Sequence, residues 1–426
     1  MKPSSPRALN DVTIRPAATD TERDLFFRIA AGQFIRDAPP EIAGPDFRRF
    51  TETAPGADPA HVRGAFRGEA YLGGYLIDER WLRIGAARLR TGCVGVVTTR
   101  PEYRGRGVAT ALMNDAFAFA RSRGCALLML HGLADFYEPW GYVDVFDAAE
   151  HRIAREDILQ QSASPYRVRP AMVADAPEMV ALYDRHFGPH PGNFLRSVEH
   201  VAFQLEFAGS VERGKYLARD AMPFGPPVVA VDADGCLRGY LFTPWGPLRA
   251  FGNEVAVDDW PAMLALLQHD ARQAGSSVAA PTELRWPLPT DGLAAMLLAD
   301  RLTVRVETLH RPRANWMAAL VDLAGLVDEM RTTWNERIQR IHPELFRDFD
   351  LVIDGQSAFR SHGGAADEAL STISLSAKVL VPLLFGYRNA RWAMARPGTT
   401  IDAGLEPVLE ALFPPRQPWI APTDGC

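Results

Sequence analysis

The residues best suited to chemistry lie between Val94 and Met113, where a β-branched apolar run gives way to the loop Arg104-Gly105-Arg106-Gly107-Val108-Ala109. Glycines without a Cβ let the backbone turn tightly, so that several N–H groups converge on one anion. A helix starting directly after such a loop adds unpaired N–H groups and the positive end of its dipole. Arg104 and Arg106 add charge-assisted hydrogen bonds to phosphate. The pattern therefore reads as a pyrophosphate cradle. Two further groups lie downstream: His131, at the end of an apolar run, and the aromatic stretch Phe136-Tyr137-Glu138-Pro139-Trp140-Gly141-Tyr142.

To hold the cradle, Val94–Thr99 must be a strand that Pro101 ends. Val108, Leu112, Met113, Ala116, Phe117 and Ala120 then recur at helical spacing. Upstream, residues 1–11 read as a leader and Val12–Ala17 as a short strand. Leu25, Phe26, Ile29, Ala30 and Phe34 mark a helix that Pro39, Pro40, Gly44 and Pro45 break, with a weak second helix from about Asp46. Residues 65–66, 69–76 and 81–84 supply separate strands, and Ala126–His131 is a run of buried-strand type.

The formal net charge of −6 and sequence pI near 6.0 argue against a polyanion as main partner, so no nucleic acid is expected. Four cysteines without Cys-x-x-Cys spacing support neither a disulfide framework nor a metal site, which reads as a reducing cytoplasm. The N-terminus lacks an apolar signal core, and no uncharged run is long enough to span a membrane.

The segment Tyr166-Arg167-Val168-Arg169-Pro170-Ala171 echoes Ile14-Arg15-Pro16-Ala17 at an offset of 168 − 14 = 154 residues and is again followed by a helical pattern, as in a duplicated domain. Strands follow at 216–218, 227–231 and 238–242, with a turn at Asp232–Gly235. At the strand-to-helix junction matching the first cradle stand Asp258 and Asp259, with neither glycine nor arginine. Aspartates repel phosphate and suit a helix N-terminus, so the second copy keeps a fold and loses the anion site. Beyond Arg313 come a strand at Trp316, a helix entered at Asp322, a hairpin turning at Asp354-Gly355, a strand at 373–376 and an apolar helix at 377–387 interrupted by Pro382.

The cradle, with Arg104, Gly107 and Ala109 at its key positions, resembles motif A of the GCN5-related N-acetyltransferases. The order of domains and the Phe-Tyr-x-x-Trp-Gly-Tyr segment are similar to the Eis type of that superfamily. The resemblance implies an α/β (α+β) fold class: two tandem acetyltransferase folds, the second degenerate, and a sterol-carrier-like α+β domain. Their boundaries fall at 1–163, 164–313 and 314–426.

It further implies acetyl-CoA as donor, without a metal, and direct transfer to a primary amine. Val97 and Thr99 would pair with the acetyl and pantetheine end, and Arg104, Gly105, Gly107, Val108 and Ala109 would hold the pyrophosphate. Tyr137 would be the general acid and the Cys426 carboxylate the base, although family members end in an aromatic residue. Phe34, Asp37, Glu41 and Glu69 are candidates for the acceptor side, where aromatic and acidic groups suit an amine cation. A small-molecule amine partner, no membrane, and a homo-oligomer, a hexamer in the family, complete the expectation. A non-catalytic acyl-CoA sensor and a lipid or sterol carrier built on 314–426 are the rival readings.

Overall fold

Following the chain through a computed structural model, which describes residues 11–35, 38–212, 227–243, 253–275, 281–361 and 370–424, the first strand is β1 (Thr13–Pro16). Helices α1 (Asp20–Phe34) and α2 (Pro40–Thr53) follow, then β2 (Val62–Arg67), β3 (Ala70–Ile84), β4 (Ala87–Thr99), α3 (Val108–Ser122), β5 (Leu127–His131) and β6 (Val143–Phe146). Next come β7 (Ala149–Ala154), α4 (Arg155–Leu159), β8 (Arg167–Pro170), α5 (Ala176–Phe187), α6 (Val198–Glu212), β9 (Val228–Val231), β10 (Leu237–Phe242) and β11 (Glu254–Val257). Then follow α7 (Trp260–Gly275), β12 (Glu283–Pro287), α8 (Leu293–Ala299), β13 (Val304–Thr308), β14 (Trp316–Leu320) and α9 (Leu323–Ile338). The chain closes with β15 (Phe349–Ile353), β16 (Gln356–Arg360), β17 (Ser371–Leu375), α10 (Ala377–Leu384), α11 (Ala390–Met394), β18 (Thr400–Ile401) and α12 (Glu406–Leu412).

These elements form a mixed α/β structure of two similar lobes and a third, C-terminal layer. In the first lobe, seven strands run in the order β1-β2-β3-β4-β5-β14-β6; in the second, β8 to β11 form an antiparallel sheet and β12-β7-β13 a smaller one. The echo seen in the sequence has a matching geometry. Arg15 makes a two-point ion pair with Glu22 (2.6 and 3.0 Å) and caps the Pro16 carbonyl; Arg169 does the same with Asp175 (2.8 and 2.7 Å) and Pro170. Each acid also accepts a backbone N–H three residues upstream, fixing the start of the next helix.

The lobes exchange strands. β7, which follows β6 directly, leaves the first lobe and pairs between β12 and β13. β14, which follows β13, crosses back and pairs antiparallel with both β5 and β6. Boundaries at 163 and 313 place 149–154 in the first domain and 316–320 in the third, while these two strands pair in the sheets of the other lobe. Strand signals are local and carry no information about which sheet edge a strand joins. One trace was present: Trp316, Met317, Ala318 and Ala319 are all buried, as a central strand covered on both faces requires.

Two smaller corrections concern the first lobe. Helix α2 starts at Pro40, where a proline at the first position forfeits no helical hydrogen bond, and it contains Gly44 and Pro45. A Cβ at Gly44 would lie 2.9 Å from the Arg28 Cα, so the glycine sets how closely α1 and α2 cross. The strands read at 69–76 and 81–84 are one long β3. In the C-terminal layer the Asp354-Gly355 turn, the Asp322 cap and the Ala377 helix stand where the sequence puts them; the strand read at 216–218 lies outside the described residues.

Because β14 completes the first sheet, a chain ending at residue 163 leaves β5 and β6 without their shared neighbour and exposes Leu128, Leu130 and Met129. Such a fragment is expected to lack a cooperative thermal transition by circular dichroism, where the full chain shows one; cooperative melting of the fragment would contradict the exchange.

Candidate active site

The site is built by the parting of two strands. β4 pairs in parallel with β5 only at Thr91, Gly92 and Cys93. From Val94 to Thr99 it pairs with β3 alone, while β5 turns its other edge to β14. The parting coincides with a bulge. The register jumps from Gly74↔Thr98 to Leu76↔Gly95, so Val96 and Val97 together oppose Tyr75. Val96 takes the left-handed φ of 56°, uncommon for a β-branched residue. Such a bulge re-aims the backbone, and the groups of Val97 and Thr99, both half-buried, line the opening.

The cradle lies at the mouth of this opening. Gly105 (φ 69°) and Gly107 (φ 85°) both occupy the left-handed region, and Gly107 is the N-cap of α3 without any side-chain cap. The first-turn N–H groups of Val108, Ala109 and Thr110 have no partner one turn back, so they and the dipole of a 15-residue helix face the loop. Arg104 and Arg106 are exposed; Arg104 Nε donates to the Thr99 carbonyl at 3.3 Å, tying loop to strand. Asp115, further along α3, accepts from Arg63 Nε (2.6 Å) and the buried Tyr75 hydroxyl (2.7 Å), fixing the helix on the sheet.

Tyr137 packs against the same elements. It is 7% exposed and shares a core cluster with Val94, Val108, Leu112 and Tyr142. Burial pushes its phenol up to about 12, so it carries its proton at neutral pH. Its segment is braced from all sides. Trp140 Nε1 donates to Asn114 Oδ1 of α3 (3.0 Å), Arg313 pairs with Asp135 (2.7 Å), and Lys378 Nζ reaches the Glu138 carbonyl (3.4 Å). Asp135 and Arg313 both hold positive φ. His131 stands at the end of β5 with its ring edge-on to Trp316.

The acceptor-side candidates come from separate elements. Phe34 is exposed at the end of α1, Glu41 is exposed in the first turn of α2, and Glu69 lies in the exposed turn between β2 and β3. Asp37 and Cys426 lie outside the described residues.

In the second lobe, β11 and β12 belong to different sheets, a wider version of the same parting. Its helix N-terminus is closed by the chain itself. Asp259 accepts from Ala262 N (2.9 Å) and the Tyr166 hydroxyl (3.0 Å), and Asp258 binds Arg185 (2.6 Å).

Residues 13–144 match the family described as acetyltransferase (GNAT) domain. The matched span runs from β1 into β6 and contains the parting, the cradle and Tyr137. Among solved structures, the chain is similar to a GCN5-related N-acetyltransferase from Anabaena variabilis (TM-score 0.65, 16% identity) and to another from Kribbella flavida (0.66, 18%). It is also similar to Eis1 from Mycobacterium abscessus (0.58, 17%); in all three cases 96% of this chain and 99% of the other are covered. At these identities the likeness is one of fold. No curated protein sequence matches this chain. Among the described residues, no group of three His, Cys, Asp or Glu side chains is placed to hold a metal, and no helix is long and apolar enough to cross a membrane.

One cluster bonded to the matched span through Arg80 escaped sequence reading. Arg196 makes a two-point pair with Glu254 (2.5 and 2.8 Å) and binds Asp424 (3.0 Å); their side chains are 2%, 0% and 2% exposed. Tyr183 donates to Asp424 (2.9 Å), Tyr240 to Glu254 (2.8 Å), and Thr423 Oγ1 accepts from Arg196 (2.7 Å). Burial alone would lower the Arg196 pKa, but Asp424 and Glu254 hold it well above the usual value. From the first lobe, Arg80 Nη1 donates to the Asp424 carbonyl (3.2 Å). Nothing in the sequence marks these charges as buried, since each lies far from its partners along the chain.

His200 is under this cluster's influence. Burial and the nearby Arg80 and Arg196 depress its pKa to about 4, against the pull of Asp424 and Asp78. A histidine depressed in the folded state contributes stability that is full above about 6.5 and is lost as pH falls toward about 4. His200→Gln is therefore expected to flatten the stability profile between those values, removing a slope worth at most roughly 3 kcal/mol. Urea unfolding at stepped pH reads this directly, and an unchanged slope contradicts it.

Proposed function

We propose that the chain is an N-acetyltransferase of the Eis type, moving the acetyl group of acetyl-CoA to a primary amine of a small molecule by direct attack. The observation that carries this reading is the conjunction of an anion cradle, a strand opening beside it, and a protonated buried phenol facing the same core cluster. Arg104, Gly105, Gly107, Val108 and Ala109 bind the pyrophosphate. Val97 and Thr99, at the bulge, offer backbone groups to the pantetheine arm and polarise the thioester carbonyl.

The amine nitrogen attacks the carbonyl carbon from the face of the sheet opposite α3. The carbon–sulfur bond then breaks, and Tyr137 supplies a proton or hydrogen bond to the departing thiolate. The amine must shed a proton; the terminal carboxylate of Cys426 is the proposed acceptor, directly or through water. Phe34, Asp37, Glu41 and Glu69 remain the proposed amine-side residues. The second lobe, with its anion site closed, serves as scaffold. The layer that follows β14 is sterol-carrier-like, with an interior filled by Trp334, Phe349, Phe359 and Phe413, all buried. A homo-oligomer in the cytoplasm fits the same reading.

Tyr137→Phe is expected to lower kcat by roughly 10²-fold or more with little change in the KM for acetyl-CoA, measured as CoA thiol released with a panel of primary amines. Gly107→Ala, which forces a side chain into a left-handed position, is expected to weaken CoA binding by about tenfold in calorimetry while costing about 1–2 kcal/mol of stability. Wild-type chain that binds acetyl-CoA but acetylates no amine would make it an acyl-CoA sensor; failure to bind at all would remove the reading.

A further inference from the structure

A cavity of about 200 Å³ lies between the second lobe and the C-terminal layer, and every residue lining it is outside the matched span. Three segments wall it: the end of α5 with the turn after it (Arg185, His186, His190), the loop between β12 and α8 (Asp291), and the chain leaving α12 (Arg416, Gln417). By order within their lobe, the end of α5 and the loop after β12 correspond to the end of α1 and the segment after β5. The walls are tied together. Thr290 N donates to Gln417 Oε1 (3.0 Å), and Trp419 N donates to the Pro191 carbonyl (2.9 Å).

The lining is rich in donors. Arg185 gives an N–H to Asp258 (2.6 Å), and its side chain is otherwise 56% exposed. Among the described residues, the exposed Arg416 guanidinium has neither a hydrogen bond nor an ion pair. Its charge is felt nearby: burial, then Arg416 and Arg340, push the Arg337 pKa down to about 10. Gln417 uses its side-chain oxygen on Thr290, so its amide nitrogen remains a donor. The opposing charge is Asp291, which is 59% exposed at the rim, where water and salt screen it.

The two histidines complete the lining. His190 is 7% exposed, and its Nδ1 lies 3.2 Å from the Gln417 carbonyl and 3.5 Å from Asp291. A carbonyl can only accept, so Nδ1 carries the proton and the neutral ring keeps a lone pair on Nε2. His186, whose Nε2 faces Asp258 at 3.2 Å, keeps one on Nδ1. Burial lowers both pKa values. Arg416 on His190 and Arg185 on His186 act in the same direction, against the pull of Asp291 and Asp258. Both rings are therefore neutral at pH 7, and a dianion beside them would favour the imidazolium form instead.

We infer that this cavity binds a tetrahedral dianion, either inorganic phosphate or the phosphate group of a small monoester, held by Arg185, Arg416 and the protonated rings of His186 and His190. Donors converging from three segments suit an ion with oxygens on every side better than a carboxylate with two. The volume is below that of sites for whole nucleotides. Binding takes up protons, so affinity is greatest at low pH and is lost as pH rises through the histidine pKa values of the complex. The inference stands apart from the acetyltransferase reading. It gives the second lobe, whose helix start is occupied by Asp258 and Asp259, an anion site of its own on another wall.

The test is calorimetry and thermal melting of the full chain with sulfate, a dianion that does not itself titrate near neutrality, then with inorganic phosphate and glycerol 3-phosphate. Sodium chloride at equal ionic strength is the control. A saturable site is expected that raises Tm by a few degrees, with sulfate affinity falling roughly tenfold or more between about pH 6 and pH 8. Arg416→Gln and His190→Gln are each expected to weaken it about tenfold or more, while Arg104→Gln in the first lobe's cradle leaves it unchanged. Arg416 is exposed, so its variant keeps the test open if His190→Gln fails to fold. Tighter binding of glycerol 3-phosphate than of phosphate supports a phosphorylated metabolite as occupant, and equal binding supports free phosphate. Stabilisation that chloride reproduces, affinity independent of pH, or binding that survives Arg416→Gln or vanishes in Arg104→Gln overturns the inference.

Discussion

Two neighbouring strands that begin paired and then separate are the constraint on which this molecule turns. Backbone N–H and C=O groups at a strand edge inside a sheet demand partners, and leaving them open costs free energy unless water or a ligand fills the gap. β4 keeps its partner for three residues and then relinquishes it, with a bulge at Val96 and Val97 turning the strand at that point. The rest of the first lobe keeps the opening from closing or spreading. β14 holds β5 from the far side, α3 is bonded to the sheet through Asp115, and the Tyr137 segment is braced by Trp140, Arg313 and Lys378.

Duplication explains much of what surrounds that opening. Both lobes start with the same arginine–acid clasp, and both separate the same pair of strands. Only one retains the glycines and arginines that would hold an anion there. In the other, two aspartates occupy the helix start and are bonded within the chain, Asp259 to Ala262 N and Tyr166 and Asp258 to Arg185. The C-terminal layer has an aromatic interior, and Asp424 beyond it is a buried charge.

Local features were legible in the sequence because their causes are local. Gly105 and Gly107 announce left-handed turns, Asp322 and Asp259 announce helix starts, and Asp354-Gly355 announces a hairpin. The clasp residues Arg15 and Arg169 revealed the repeat. Features that depend on distant partners were not legible. The continuity of β3 from Ala70 to Ile84 relies on its pairing with β4, and the destination of β14 relies on two strands far upstream. Arg196, Glu254 and Asp424 read as ordinary surface charges until three parts of the chain bring them together. The acceptor-side residues suffer in the same way: Phe34, Glu41 and Glu69 come from separate elements, and residue type alone does not say which of them face one another.

The reciprocal exchange of β7 and β14 bears on how such a chain can be made. The lobe translated first lacks a central strand until residue 320 has left the ribosome, and the second lobe cannot draw β7 into place without engaging the first. Neither lobe can mature alone as the nascent chain emerges; long-range pairings of this kind fold slowly and leave apolar edges uncovered meanwhile. Completion of both sheets is thereby a late event that waits for β13 and β14, long after the first lobe's other strands are made.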